Sequence, residues 1–255
     1  MPDEEAVEVY RLTRSAAIPV WIAVGVLGLL LLAGCQPAPE EGQEETMEPA
    51  LTEESVTEEP TEVHEEIPAE LAAVGEHAED TYDVVKAEEW DKAATDAEWF
   101  TTGLDDMVAV VDGQQDAKDE LVARNEDLKT AIEGKDRVAA MTAANEMTKI
   151  VMDMSRTYEP AVPVEVEMMD YYGRQLQIDA AEEDMDKVNE TLAQIDTVWE
   201  QLRPMVTQNA TQAEAEDFEA LVADLKAADT PQKVMDLSMP FLDGVDLLEN
   251  IFKAP

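Results

Sequence analysis

The chain reads as an all-α protein, two related antiparallel four-helix units (70–160 and 161–255) preceded by a leader and an acidic tether. Three observations carry that reading. No proline intervenes between Pro68 and Pro160, in a stretch rich in Ala, Glu, Asp, Leu and Met, which favour helix. Apolar residues recur at three-four spacing along the body. Gly and Pro breaks then divide this pattern into segments of helical length.

Composition narrows the function. Sixty acidic side chains against 17 basic ones give a net charge of −43. Phosphate contacts need clustered Lys and Arg, so nucleic acid is excluded as a partner. One cysteine rules out an intramolecular disulfide and any all-protein cysteine metal site. Acidity spread over a whole exported domain fits solubility in a salty medium better than one specific acidic site.

Taken in order, residues 16–34 carry no charge and follow Arg11 and Arg14, the pattern of a signal peptide or a membrane span. The run ends in Leu32-Ala33-Gly34-Cys35, which resembles the lipobox of bacterial lipoproteins at all four positions. That resemblance implies a diacylglycerol thioether on Cys35, cleavage between Gly34 and Cys35, and residues 1–34 removed as a signal peptide. Small side chains at 33 and 34 let an extended backbone enter a protease cleft, and Leu32 fills an apolar subsite. The alternative is an uncleaved anchor helix of about 20 residues. Both readings place the body outside, facing periplasm or exterior, because Lys and Arg near the span set orientation and none occurs from 15 to 85. Two or three acyl chains, at about 0.8 kcal/mol per buried CH₂, hold far longer than one myristoyl chain. Gln36 follows the cysteine where an aspartate favours inner-membrane retention in that family. The expected location is therefore the cell membrane, or the outer membrane where one exists.

Residues 35–69 form the tether. From Gln36 to Glu70 there are thirteen Glu, five Pro, no Lys or Arg and no aromatic residue, a composition that does not bury enough apolar surface to offset chain entropy. A flexible chain of this length reaches roughly 30–35 Å, and like-charge repulsion extends it. The Glu run lacks the Asp-rich, Gly-containing loop that fixes calcium ligands.

The body is expected as helices over 70–86, 88–111, 115–133, 135–158, 163–181, 184–206, 211–228 and 231–253. Trp90, Ala93, Ala97, Phe100, Leu104, Met107 and Val111 make one apolar stripe; Met185, Val188, Leu192, Ile195, Trp199, Leu202 and Val206 repeat it 95 residues later. Asp91-Lys92 falls on Asp186-Lys187, and at offset 97 Asp127-Leu128-Lys129 falls on Asp224-Leu225-Lys226, which reads as an internal duplication. Gly113, Gly134 and the Tyr158–Pro163 joint punctuate the chain. Pro204 falls late in its helix, Thr230-Pro231 reads as a cap, and Pro240 is expected to kink or break the last helix. Short connections favour antiparallel bundles. A bulky residue before Asp-Lys-Ala also resembles a tetratricopeptide hairpin, so the alternative fold is a helix-pair superhelix, although a 34-residue repeat is not reproduced.

Four features invite a chemical role. Gly75-Glu76-His77-Ala78-Glu79-Asp80 resembles the Gly-x-His-x-x-Glu motif of imelysin-like envelope proteins, with Asp80 where that family has Glu. The resemblance implies handling of a metal or haem-related ligand by His77 and Asp80. The competing reading is an exposed His near a helix start, and His64 belongs to the tether. Met147, Met152, Met154, Met168 and Met169 offer thioethers for copper(I), yet Met147 and Met154 also continue a core stripe. The run Asp170-Tyr171-Tyr172-Gly173-Arg174-Gln175 beside the joint makes Tyr171 and Arg174, with Asn145, the candidate ligand-binding residues. The bland alternative is that Tyr172 and Leu176 continue a core stripe while Arg174 pairs with Asp170 at i, i+4. Nothing resembles a serine elbow, a His-Glu-x-x-His motif or a phosphate loop, so no catalytic residue is assigned. The expectation is a noncatalytic binding or scaffolding module for an envelope protein or peptide, with no cofactor beyond the covalent lipid on Cys35.

Overall fold

The apolar stripes become the seams between helices. The computed structural model describes residues 66–158 and 160–253; the lipobox with Cys35, the uncharged run 16–34 and the tether as far as residue 65 lie outside the described residues. The described residues form eight α-helices: α1 (Ala69–Lys86), α2 (Trp90–Val110), α3 (Gln115–Gly134), α4 (Arg137–Ser155), α5 (Val164–Ala181), α6 (Met185–Asn209), α7 (Gln212–Lys226) and α8 (Pro231–Lys253). Every bound falls within three residues of the expected one. Among the described residues none of these helices is long and apolar enough to cross a membrane.

Within each group of four the contacts close a ring. α1 packs on α2 and α4, and α3 packs on the same two; α5 packs on α6 and α8, and α7 on the same two. A helix-pair superhelix would leave the first and fourth helices apart, so each group is a bundle. Connections of two to four residues make most chain neighbours antiparallel. The α2 stripe is buried from Ala93 to Val111, and the α6 stripe from Val188 to Val206. One apolar core fills α1–α4 and a second fills α5–α8.

Helix ends are specified locally. Asp136 and Asp184 accept backbone N–H groups of the following turn, and Thr211 with Glu214 makes a capping box. Buried Lys118 donates its Nζ to the Val108 and Val111 carbonyls, closing the otherwise unpaired end of α2. The α1–α2 and α5–α6 turns share one hydrogen-bond pattern. Ala87, Glu88 and Glu89 donate to Asp83, Val85 and Val84; Glu182, Glu183 and Asp184 donate to Ile178, Ala180 and Asp179, each 95 positions on. Both turns place a glutamate in the left-handed region, Glu88 and Glu183 at φ 59°. Pro68 and Pro163, also 95 apart, precede α1 and α5 with nearly identical dihedrals.

Pro240 does not break the last helix, which runs unbroken from Pro231 to Lys253. A mid-helix proline costs about 3 kcal/mol. Val234 before it and Phe241, Val245 and Leu248 after it are buried, and each such side chain contributes about 1.5–3 kcal/mol, so packing outweighs the lost hydrogen bond.

α5 is covered on most of its circumference, with Leu176 through Ala180 buried in succession. Ile178 joins the first core while Met169, Leu176 and Ala180 join the second. Gly173 permits this, since a Cβ there would lie 2.5 Å from Leu242 Cδ2 and 3.1 Å from Phe241 Cδ1 on α8.

The left-handed glutamates give a direct check. Glycine carries no steric penalty at positive φ, so Glu88→Gly and Glu183→Gly should each stabilise the fold, by about 0.5–1 kcal/mol net of unfolded-state entropy. Denaturant titration should give similar gains at the two sites; a loss at either would contradict the shared turn geometry.

Candidate functional site

Arg174, on the α5 face turned toward α1, sits where the two bundles meet. Its side chain is 11% exposed. One guanidinium nitrogen bonds Asp170 a turn earlier, and Nη2 lies 3.2 Å from Glu79 Oε2 on α1. Cζ stands 5.8 Å from the centre of the Tyr82 ring, a cation–π contact. Tyr82, itself buried, places its hydroxyl 3.0 Å from both the Arg174 carbonyl and Gln177 Oε1, and shares its one proton between them. Arg174 therefore ties Asp170 on its own helix to Glu79 and the Tyr82 ring across the junction.

The opposite face of α5 carries a ladder of amides and carboxylates. Asn145 of α4 donates its Nδ2 to the Tyr171 carbonyl and to Gln175 Oε1, Gln175 donates to Asp179 Oδ1, and Thr191 of α6 donates to Asp179 Oδ2 at 2.7 Å. Tyr171 gives its hydroxyl to Glu146 Oε1. Burial pushes Asp179 upward, and the Thr191 and Gln175 bonds oppose that. Beside this ladder runs an open polar groove of about 400 Å³ between α4, α5 and α6, with Tyr171, Tyr172 and Gln175 in its wall.

On the Arg174 side, a crevice of about 310 Å³ opens between α1, α4, α5 and α8, lined among others by Glu76, Glu79, Glu167, Glu249 and Lys253. Burial pushes the Glu167 carboxyl up to about 7; the charges of Glu249 and Asp170 add to it, while Lys253 and Arg156 oppose. Glu79 is likewise pushed up to about 7 by burial, with Arg174 pulling the other way and Asp170 and Glu249 adding. Burial raises Asp170 too, against the pull of Arg174. Arg174 stays cationic, because the carboxylates outweigh its desolvation.

The residues chosen from the sequence thus separate. Tyr171 and Asn145 meet through the Tyr171 backbone and the α4 groove, whereas Arg174 faces α1 and bonds Asp170, as the i, i+4 reading has it. His77 turns to α2: its ring stacks at 4.0 Å on Trp99, and Nε2 lies 3.8 Å from Asp96 Oδ1, while Asp80 is exposed. His77 Nε2 and Asp96 Oδ2 are buried and without a hydrogen-bond partner. Two donors fall short of the three or four that a metal centre needs. Among the described residues no three His, Cys, Asp or Glu side chains gather to hold a metal ion. Met147, Met154 and Met169 are packed core, and the Met168 sulfur accepts from Arg156.

Glu79 and Gln175 fall within motifs the sequence marks but carry no assigned role there, and Tyr82, Gln177 and Asp179 are not marked at all. Their signal was present in part: polar side chains at 175, 177 and 179 interrupt a helix otherwise apolar on several faces, which marks contact with more than one neighbour.

No family model matches the chain, and no curated protein and no solved structure matches it. Its chemistry is read from its own residues.

The raised carboxyls set a pH dependence with a definite sign. A folded value near 7 against an ordinary 4.5 means that the folded state binds protons more tightly. This contribution is fully present below about 4.5 and is lost as pH rises through 7. Stability should therefore fall from pH 5 to pH 8. Glu167→Gln should reduce that fall by about 1–2 kcal/mol, discounted for partial exposure. Parallel urea titrations at both pH values check this; an undiminished fall in the variant would remove Glu167 as a source.

Proposed function

We propose that this chain is a lipid-anchored cell-envelope protein whose helical body binds a protein or peptide partner without catalysing a reaction. The observation that carries the anchor is the uncharged run 16–34 ending in Leu32-Ala33-Gly34-Cys35. Acyl chains on Cys35 hold the chain to the cell or outer membrane, and the Glu-rich segment after it sets the body off the surface. Body and tether then work outside the cytoplasm.

Binding is supported by the way the polar groups are used. Arg174, Asn145 and Asp179 bond across helices, to Glu79, Gln175 and Thr191, and what remains open are grooves between helices. Such grooves take extended or helical segments of partners. A metal or haem-related ligand is the alternative, and its support is limited to His77 and the carboxylate of Asp96.

We further propose that the body descends from a duplicated four-helix unit. Support comes from the turns repeated at offset 95 and from two contacts across the junction, Glu79 with Arg174 and Tyr82 with Gln177, whose partners are also 95 apart. Residues near a two-fold axis touch their own equivalents, so the halves meet as the subunits of a symmetric dimer do.

Intact mass and metal content of protein taken from native membranes test the assignment. The expected wild-type mass lacks residues 1–34 and carries acyl groups, and Cys35→Ala loses both changes. An unprocessed, unacylated wild-type chain would make 16–34 a membrane span instead. Stoichiometric metal that disappears on His77→Ala would favour the alternative ligand class.

A further inference from the structure

The two bundles differ at one end. The α6–α7 connection has two residues where the α2–α3 connection has four, and α8 has 23 residues where α4 has 19. In the first bundle that end is tied by a polar bridge, Gln114 Nε2 donating to the Met154 carbonyl and to Thr157 Oγ1. In the second, Thr211 of the α6–α7 connection is engaged with Glu214 in its own cap. The last turns of α8 are left uncovered beside α7, and a groove of about 690 Å³ opens there.

Its floor is apolar and continuous. Phe218 and Leu221 of α7 lie flush on α8 at Gly244, where a Cβ would come within 2.6 Å of Leu221 Cδ1. Leu247, Leu248 and Ile251 supply the opposite wall. Leu247 is 66% exposed, the highest value among the exposed large apolar side chains of the described residues. Glu214 and Asp217 stand at the rim. Hydrogen bonds from Thr211 hold Glu214 below the usual carboxylate range, which keeps it ionised. α7 carries five acidic residues and one lysine, within a chain of net charge −43.

An apolar floor with an acidic rim selects its occupant by charge. A second copy would bring the same carboxylates together, and an anionic lipid surface would be repelled in the same way. Resting on the binding-module reading above, we propose that the α7–α8 groove docks the apolar face of a Lys/Arg-rich amphipathic helix from another protein. Leucine-type side chains at i, i+3, i+4 and i+7 fill the groove, and flanking basic side chains meet Glu214 and Asp217.

The test uses the full chain in phosphatidylcholine nanodiscs and a fluorescent 14-residue helix of leucine and lysine in that spacing, with binding to empty discs subtracted. Nonspecific attraction to an acidic protein is separated by Leu247→Asp, which adds a negative charge while removing the apolar wall. Docking requires Leu247→Asp to weaken binding about tenfold or more with unchanged melting, and Val122→Asp on the exposed face of α3 to leave it within about twofold. Replacing the lysines of the probe by glutamate should weaken binding by a similar factor. Equal or tighter binding by Leu247→Asp overturns the proposal, as does no binding at about 100 µM or indifference to the sign of the probe. Leu247-dependent self-association in sedimentation, or Leu247-dependent capture on anionic vesicles, would overturn the stated occupant. Photocrosslinking in native membranes separates the two readings. A partner retained by Leu247→Asp removes the groove and leaves the module, and the absence of any partner crosslinked to the body removes both.

Discussion

A polar junction along α5, with Arg174 at its centre, joins the two bundles across the middle of the body. Arg174 reaches carboxylates on α5 and α1 and lies against the Tyr82 ring, in a site where only 11% of its side chain meets solvent. Breaking a buried ion pair from one side leaves an uncompensated charge and costs roughly 3–5 kcal/mol, whereas an exposed pair contributes little. The many surface pairs of this chain, such as Lys233 with Asp229, belong to the second class. The Arg174–Asp170 pair, within α5, belongs to the first; Glu79, its partner across the junction, is 39% exposed, so that bond shares the work of holding α5 against α1 with Tyr82 and Gln177.

From that constraint the rest follows in layers. α5 is held against α1 on one face and against α4 and α6 on another, so its polar side chains must find partners inside the fold. Gln177 meets Tyr82, Gln175 meets Asn145, and Asp179 meets Thr191. Burial, with neighbouring carboxylates adding to it, pushes Glu79 and Glu167 up to about 7, which makes the junction sensitive to pH near neutrality. The outer pairs α2/α3 and α6/α7 are largely free of this duty. They cover the cores, and between the start of α7 and the last turns of α8 a groove remains.

Most of the fold was legible because heptad spacing, caps and short connections all indicate the same helices. Stripes such as Phe100-Leu104-Met107 and Ile195-Trp199-Leu202 are buried where periodicity puts them. Pro240 misled, because a local rule about the missing N–H carries no information on how much apolar surface its helix buries. At the site, the sequence singled out Arg174, Tyr171 and Asn145 and offered Asp170 as Arg174's partner, but not the partners on α1. Glu79 and Tyr82 lie 95 residues before Arg174 and Gln177, and no local pattern announces a contact at that distance. The exposure of Leu247 was also hidden, since it depends on how α7 and α8 pack and not on the residue itself.

The two four-helix cores meet along α5 and are expected to unfold as one body, a coupling to which the Arg174 junction contributes. Tryptophan placement makes this measurable: Trp90 and Trp99 report the first bundle and Trp199 the second. In the chain lacking residues 1–34, urea unfolding would be followed by fluorescence in Trp199→Phe and in Trp90→Phe/Trp99→Phe, each with Arg174 and with Arg174→Met. This account predicts transitions that coincide while Arg174 is in place and separate once Arg174→Met is introduced. Transitions already separate with Arg174 present, or still coincident and unshifted without it, would contradict it.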